Sequence, residues 1–350
     1  MRFFFKYNYY TFAFMQKLRK ILLPFSWLYS GVTRLRNELY NRGIFESTAY
    51  DVPVICVGNL SVGGTGKSPM VEYLIDHLKD EYCVATLSRG YKRSTSGFYL
   101  LTGTETAREV GDEPLQFKKK YPNILVAVDE VRTRGIEKLL ALPQPPEVIL
   151  LDDAFQHRRV TPKLNILLTS YENLYSQDKV LPAGNLREPK SGSRRAHIVV
   201  VTKCPPGLGK IERQRVSESL DLLPEQSLFF ASIGYSEQIF NQKGAMALSK
   251  LQEKEFVLVT GIAKPLPLVE YLQEQDLKFQ HESFPDHHNF TDKQLRSLTS
   301  HELILTTEKD YMRLQGEFKD EQLYYIPIKT VFLASEPRFK SIITSSVTKK

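Results

Sequence analysis

A chain of 350 residues and 40.3 kDa, 42% hydrophobic and 25% charged, is long enough for two domain cores and too apolar to be a disordered protein. Its formal charge of +7 would suit a nucleic-acid binder. However, Lys6, Lys17, Arg19, Lys20, Arg34, Arg36 and Arg42, set against Glu38 alone, hold nearly all of that charge, and no nucleic-acid-binding motif stands beside them. Cys56, Cys83 and Cys204 are far apart and lack metal-ligand spacing, so they read as core residues of a protein from a reducing compartment.

In chain order, the first element is basic and amphipathic. Phe14, Leu18, Ile21, Leu22, Phe25, Leu28, Val32, Leu35 and Leu39 recur at helical spacing with cations between them, which predicts a helix pair broken near Pro24 over residues 1–45. No apolar run approaches the roughly 20 residues that span a bilayer, and the cations interrupt any signal-peptide core. The helices therefore either lie on an anionic membrane surface, where Phe25, Trp27 and Tyr29 suit the interface, or pack on the body with a solvated basic face.

The apolar run ending at Val57 leads into Gly58-Asn59-Leu60-Ser61-Val62-Gly63-Gly64-Thr65-Gly66-Lys67-Ser68, followed by a helix-like stretch from Met70 to Leu78. Strand, glycine-rich turn and helix start together make a polyphosphate cradle. Glycines let backbone N–H groups converge, the helix N-terminus adds positive dipole, Lys67 offsets charge, and the Ser68 hydroxyl can ligate Mg²⁺. The general pattern has glycine where this chain has Ser61.

Short runs rich in Val, Ile and Leu then alternate with helix-length polar segments: Cys83–Leu87, Phe98–Thr102, Ile124–Val128, Val148–Leu151, Leu164–Thr169 and Ile198–Thr202. This predicts a buried, mostly parallel sheet flanked by helices over residues 46–225. A second alternation, from Leu228–Ile233 to Leu323–Ile326, predicts a smaller α/β domain over 226–340, with a frayed tail after Phe339.

Several stretches carry chemistry. Val148-Ile149-Leu150-Leu151-Asp152-Asp153 ends an apolar strand in two carboxylates, of which one would face a metal; either could instead cap the next helix. Gly111-Asp112-Glu113-Pro114 places two carboxylates at a proline-marked helix start, suited to metal binding, to accepting a hydroxyl proton, or simply to capping. Ser88-Arg89-Gly90-Tyr91-Lys92-Arg93 and Asp129-Glu130-Val131-Arg132-Thr133-Arg134 put cations after two strands, which favours an anionic substrate. Phe284-Pro285-Asp286-His287-His288 reads as a turn of the second domain.

Taken together, the chain resembles the tetraacyldisaccharide 4′-kinases of lipid A biosynthesis. The resemblance rests on the 57–69 loop, Leu87-Ser88-Arg89-Gly90-Tyr91, Gly111-Asp112-Glu113-Pro114, Asp152-Asp153-Ala154-Phe155-Gln156-His157, Leu181-Pro182-Ala183-Gly184-Asn185-Leu186-Arg187-Glu188-Pro189, Phe284-Pro285-Asp286-His287 and Thr307-Glu308-Lys309-Asp310. The family also carries Ser or Thr at the position of Ser61; Lys92 and Ala154 depart from its usual glycines, and Tyr311-Met312-Arg313 after the Lys309-Asp310 pair is a further departure.

The resemblance implies ATP- and Mg²⁺-dependent phosphorylation of the 4′-hydroxyl of a tetraacyl disaccharide 1-phosphate, by a peripheral protein on the cytoplasmic face of the bacterial inner membrane. A monomer is expected. Residues Ser61, Val62, Gly63, Gly64, Thr65, Gly66, Lys67, Ser68 and Arg187 would hold the nucleotide, and Ser68, Asp152, Asp153 and Glu113 the metal. Asp112 is the implied general base, with His287 reaching it from the other domain, and Lys67 stabilises the transferred group. Arg89, Tyr91, Arg132, Gln156 and His157 are the expected substrate contacts. One rival is a GTP-dependent assembly NTPase, which would want Asn-Lys-x-Asp where this chain has Thr202-Lys203-Cys204-Pro205. Another is a nucleotide-sensing membrane scaffold, which would bind nucleotide without transferring phosphate.

Overall fold

The computed structural model describes residues 21–286, 288 and 290–348. The part of the basic N-terminal stretch before Ile21, and His287, lie outside the described residues. The chain is α/β, as expected, and divides into two compact units.

The first unit comprises residues 1–89, 131–232 and 331–350. Its centre is a parallel sheet in the order Ser227–Tyr235, Ile198–Thr202, Leu164–Ser170, Val54–Asn59, Val148–Asp152, Val84–Ser88. Val54–Asn59 is buried along its whole length, which is why it reads as an unbroken apolar run. The chain leaves this strand, passes over Val148–Asp152 and returns as Val84–Ser88, whereas Leu164–Ser170 flanks it on the other side. Such a switch of direction opens a crevice at the carboxyl ends of the strands, and the 61–68 loop and Asp152 both stand there. The following helix, Lys67–Leu78, buries Met70, Val71, Leu74, Ile75 and Leu78 as one stripe.

Two other helices belong to this unit. Leu23–Asn41 begins with Pro24 in its first turn, where a missing N–H costs nothing. Glu336–Val347 corrects the expectation of a frayed tail. Phe339, Ile343 and Val347, spaced by four, are buried, and the Phe339 ring packs edge-on against Phe229 and Tyr73. The Tyr73 hydroxyl donates to Glu336 at 2.7 Å.

The second unit comprises residues 90–130 and 233–330. Its sheet runs Gly244–Ala247, Gln238–Asn241, Leu323–Ile326, Ile304–Thr307, Phe256–Thr260, Phe279–Ser283; the last four strands are parallel and the first two form an antiparallel hairpin. Ile239, Leu251, Leu258, Leu272, Leu305 and Ile326 make its core. Tyr99–Leu100 and Leu125–Val128 pair antiparallel within the 90–130 insert.

The units are thus discontinuous in sequence, unlike the contiguous 46–225 and 226–340 expected from the alternation. Residues 90–130 join the second unit because helix Asp112–Lys120 is tied to helix Glu308–Leu314 by charge: Arg313 pairs with Asp112, Lys309 with Glu113 and Lys120 with Glu308. The expectation that Asp112 and the Phe284–His288 turn belong to different domains is corrected accordingly.

Candidate active site

In the first unit the glycine loop is built mainly from backbone. Gly66 takes φ +83°, a left-handed conformation that suits glycine, and from there the chain enters the Lys67–Leu78 helix. The loop is laced from beneath: the buried Asn59 amide donates to the Thr65 hydroxyl at 2.8 Å, and the Thr202 hydroxyl donates to the Thr65 carbonyl at 2.7 Å. Its entrance is paired like an extra strand with residues 185–187. Val62 N–H donates to Asn185, Arg187 N–H donates to Leu60, and Ser61 bridges Leu186. Val62, Gly63 and Gly64 at the tip stay exposed.

Strand register sets Asp152 beside Val57 at the mouth of the crevice. Asp152 is buried, at 7% exposure, and Asp153 follows with φ +50°. The two carboxylates are therefore not equivalent. Asp153 receives Arg187 Nη1 at 2.9 and 3.1 Å and lies 3.6 Å from Lys67 Nζ, so it is clamped between two cations. Burial pulls the Arg132 guanidinium down to about 10 even though the Asp152 and Asp153 carboxylates support its charge. Arg132 (3% exposed) and Arg89 in turn act on His157, whose imidazole is pushed down to about 4, first by burial and then by these two cations. Arg89, Arg132 and His157 are accordingly brought into one electrostatic neighbourhood. Gln156 is committed elsewhere: its amide donates to the Asn59 carbonyl at 2.9 Å and to Glu188 at 3.0 Å.

Among the described residues no group of three or more His, Cys, Asp or Glu could hold a metal by itself. The buried Ser68 hydroxyl and the Asp152 and Asp153 carboxylates are hard oxygen donors carried at the crevice mouth. Such a set fits Mg²⁺, which keeps much of its shell as water and phosphate oxygens.

In the second unit Gly90 and Gly111 pack backbone to backbone. A Cβ on Gly111 would stand 3.2 Å from Gly90 Cα, and one on Gly90 would stand 2.7 Å from the Val110 carbonyl. Both have positive φ, +67° and +97°. This contact brings the segment of Tyr91, 65% exposed, to the helix start that bears Asp112 and Glu113. Asp112 is ion-paired with Arg313, and Glu113 with Lys309 Nζ at 2.6 Å. Arg313 also lies 3.5 Å from Asp310, whose buried carboxylate accepts from Gly261 N–H at 2.8 Å and from the Thr307 hydroxyl at 2.7 Å. The family-like Thr307-Glu308-Lys309-Asp310 stretch thus anchors the two cations that face Asp112 and Glu113. His288, next to His287, is an aromatic-cluster residue: it stacks on Phe284 and shares a 3.0 Å hydrogen bond with Gln294.

The family model for tetraacyldisaccharide-1-P 4′-kinase matches residues 18–348. The chain belongs to the tetraacyldisaccharide 4′-kinase family. It is 48% identical over 328 residues to the tetraacyldisaccharide 4′-kinase of Flavobacterium johnsoniae, covering 93% of this chain and 96% of that one. To the kinase of Bacteroides thetaiotaomicron it is 44% identical over 344 residues, covering 91% and 90%. A crystal structure of LpxK from Aquifex aeolicus in complex with ATP superposes with a TM-score of 0.76 at 35% identity, covering 95% of this chain and all of that one.

Three participants were not legible beforehand. Glu188 is fully buried and accepts from Arg195 at 2.8 Å, Gln156 at 3.0 Å and Asn37 at 2.8 Å. Lys203 brings its ammonium within 3.8 Å of where a Cβ on Gly64 would lie, at the loop tip. Arg313 holds Asp112. For Lys203 a signal existed: a cation directly after the core strand Ile198–Thr202, on the edge where ligands of such sheets bind. Glu188 and Arg313 carry no such local mark.

Proposed function

We propose that this chain transfers the γ-phosphoryl group of ATP to the 4′-hydroxyl of a tetraacyl disaccharide 1-phosphate, making the bisphosphorylated lipid A precursor. The observation that carries this reading is a cradled Gly66-Lys67-Ser68 helix start, clamped through Asp153 and Arg187, in a chain that matches these kinases over nearly its whole length.

Residues Ser61 to Ser68 hold the polyphosphate, and Arg187 contacts the nucleotide. On ATP binding Lys67 exchanges Asp153 for the γ-phosphoryl oxygens and stabilises the charge that develops there. Mg²⁺, held by Ser68 with Asp152 or Asp153, would neutralise phosphate charge; Glu113 is committed to Lys309 and contributes only if that pair opens. The sugar 4′-oxygen bonds to the γ-phosphorus as the bond to the ADP oxygen breaks, and Asp112 accepts the hydroxyl proton, oriented by His287. For the carboxylate to take that proton, Arg313 must give way or shift. Arg89, Arg132, neutral His157 and Tyr91 receive the anionic acceptor.

The acceptor is a lipid, and the N-terminal helix fits delivery from a surface. Leu23–Asn41 buries Ser26 and Thr33, whereas Phe25, Trp27, Leu28, Val32 and Leu35 are each at least 60% exposed. An amphipathic helix docked on a protein core does the reverse. No helix among the described residues is long and apolar enough to cross a membrane. The helix lies on an anionic leaflet at the cytoplasmic face of the inner membrane, and the enzyme works there as a monomer.

Incubation with ATP, Mg²⁺ and detergent-dispersed tetraacyl disaccharide 1-phosphate, followed by mass spectrometry, should show the lipid gain one phosphoryl group at the 4′ position. Nucleotide binding without that gain would favour the scaffold reading. Transfer from GTP but not from ATP would favour the assembly NTPase.

A further inference from the structure

The helix that exposes its apolar residues is fastened to the body by polar contacts, and these contacts converge on the walls of the glycine loop. Ser26 Oγ accepts from Ala183 N–H at 2.9 Å, the Tyr29 hydroxyl donates to the Arg187 carbonyl at 3.0 Å, and Asn37 Nδ2 donates to Glu188 at 2.8 Å. In return Arg158 donates to the Asn37 carbonyl at 2.7 Å. Segment 185–187 is itself paired with residues 60–62 at the loop entrance. The Glu188 carboxylate, with no exposure, is where three parts meet: Asn37 from the helix, Arg195, and Gln156, which also holds the carbonyl of Asn59 at the root of the loop. A Cβ on Gly192 would fall 2.7 Å from Glu188 Oε2, so the carboxylate has little room to move.

We propose that Glu188 is a positioning residue that couples the seating of the N-terminal helix to the geometry of the nucleotide cradle, so that ATP and a lipid surface bind cooperatively. The physical reason is the kind of contact involved. A helix that buries only Ser26 and Thr33 gains little from apolar burial on the protein, so its docking lies at the low end of local stability. Covering its outer face with lipid orders it. That order reaches Arg187 and Asn59 through Glu188 and Gln156, and a site whose supporting groups are held in place binds its ligand better. Coupling free energies are reciprocal, so ATP must tighten lipid binding by the same factor, typically 5-fold or more.

The lipid arm of this inference rests on the membrane reading of the same helix, and the test separates the two. Asn37→Leu removes the helix-side donor to Glu188 and leaves the exposed apolar residues unchanged. In the full-length protein without vesicles, titration calorimetry with MgATP should show the variant binding about fivefold more weakly. Its KM for ATP should rise in parallel, and by the same reciprocity ATP should no longer tighten its binding of lipid. A purely structural lesion would instead lower the active fraction and leave the KM for ATP alone. Unchanged ATP affinity in the variant overturns the coupling, whatever the vesicles do.

In a second arm, acceptor-free phosphatidylethanolamine–phosphatidylglycerol vesicles should lower the ATP Kd of the wild type by about fivefold and that of Asn37→Leu by less than twofold. Both proteins should sediment equally with the vesicles. Sedimentation of the wild type with no change in its ATP Kd also overturns the coupling. If the wild type does not sediment with vesicles, the membrane reading fails, and the vesicle-free titration still decides the role of Glu188.

Discussion

The donor cluster of the first unit and the Asp112 cluster of the second are built by opposite means. The first is largely a backbone structure: a left-handed glycine, the Thr65 hydroxyl and carbonyl gripped by Asn59 and Thr202, and a neighbouring segment paired to the loop like a strand. The second is a side-chain structure, in which two carboxylates on one helix meet two cations on another. Backbone frames hold their shape before a ligand arrives, which is what electrostatic stabilisation of a transferring phosphoryl group requires. Ion pairs trade partners, which is what a base must do if it is to receive a proton from a substrate hydroxyl. The contrast fits the division of labour proposed above, with the glycine loop fixed in advance and the Asp112 cluster satisfied internally by Arg313 and Lys309.

Substitutions sharpen or break this contrast. The largest effect should come from Lys67→Ala, which removes the charge proposed to stabilise the transferring group and should lower kcat about a thousandfold in a steady-state assay. A loss confined to KM would mean that Lys67 serves only binding. Next, Phe339→Ala opens a cavity among Phe229, Phe332 and Tyr73 and should cost about 4 kcal/mol in chemical denaturation. The KM for ATP should not change, because the ring neighbours of Phe339 are Tyr73, Phe229 and Phe332, none of which belongs to the 61–68 loop.

Arg313→Met leaves Asp112 and buried Asp310 without their shared cation and should destabilise the protein by about 3 kcal/mol, with Arg313→Lys milder. If Arg313→Met proved neutral in denaturation, the Asp112 cluster would not be held by ion pairs, and the contrast drawn above would fall.

The smallest expected effect is one of pH. Burial and the cations Arg132 and Arg89 depress the His157 imidazole from 6.5 to about 4 in the folded state. The unfolded chain therefore binds a proton that the folded one refuses. Stability falls as the pH drops from about 6.5 towards 4 and is unaffected by this group above that range. Replacing His157 with Gln should flatten that part of the stability–pH curve; an unchanged curve would place the imidazole in a solvated setting.

The glycine loop and the carboxylates at the end of the neighbouring strand were legible because their residues are contiguous. Gly63 to Ser68 are consecutive, and Asp152 and Asp153 end an apolar strand whose C-terminal edge the fold must present. What could not be read is what depends on distant partners. Arg313 is 201 residues from Asp112 and reads as an ordinary helix cation. The membership of residues 90–130 in the second unit follows from ion pairs to the Glu308–Leu314 helix, and local alternation of strands and helices says nothing about it. The C-terminal helix was missed because Ser341-Ile342-Ile343-Thr344-Ser345-Ser346 looks polar, whereas only the fourfold spacing of Phe339, Ile343 and Val347 carries its burial. The N-terminal helix was legible in type, but that it would bury its small polar residues and expose its apolar ones was not.

The division of labour itself is tested most directly in Asp112→Asn, by measuring ATP affinity and phosphoryl transfer on the same preparation. An unaltered donor frame with a disabled base predicts an ATP Kd within about twofold of wild type and transfer slower by about 10²–10⁴. Transfer within about tenfold of wild type, or ATP affinity lost together with transfer, would contradict the account.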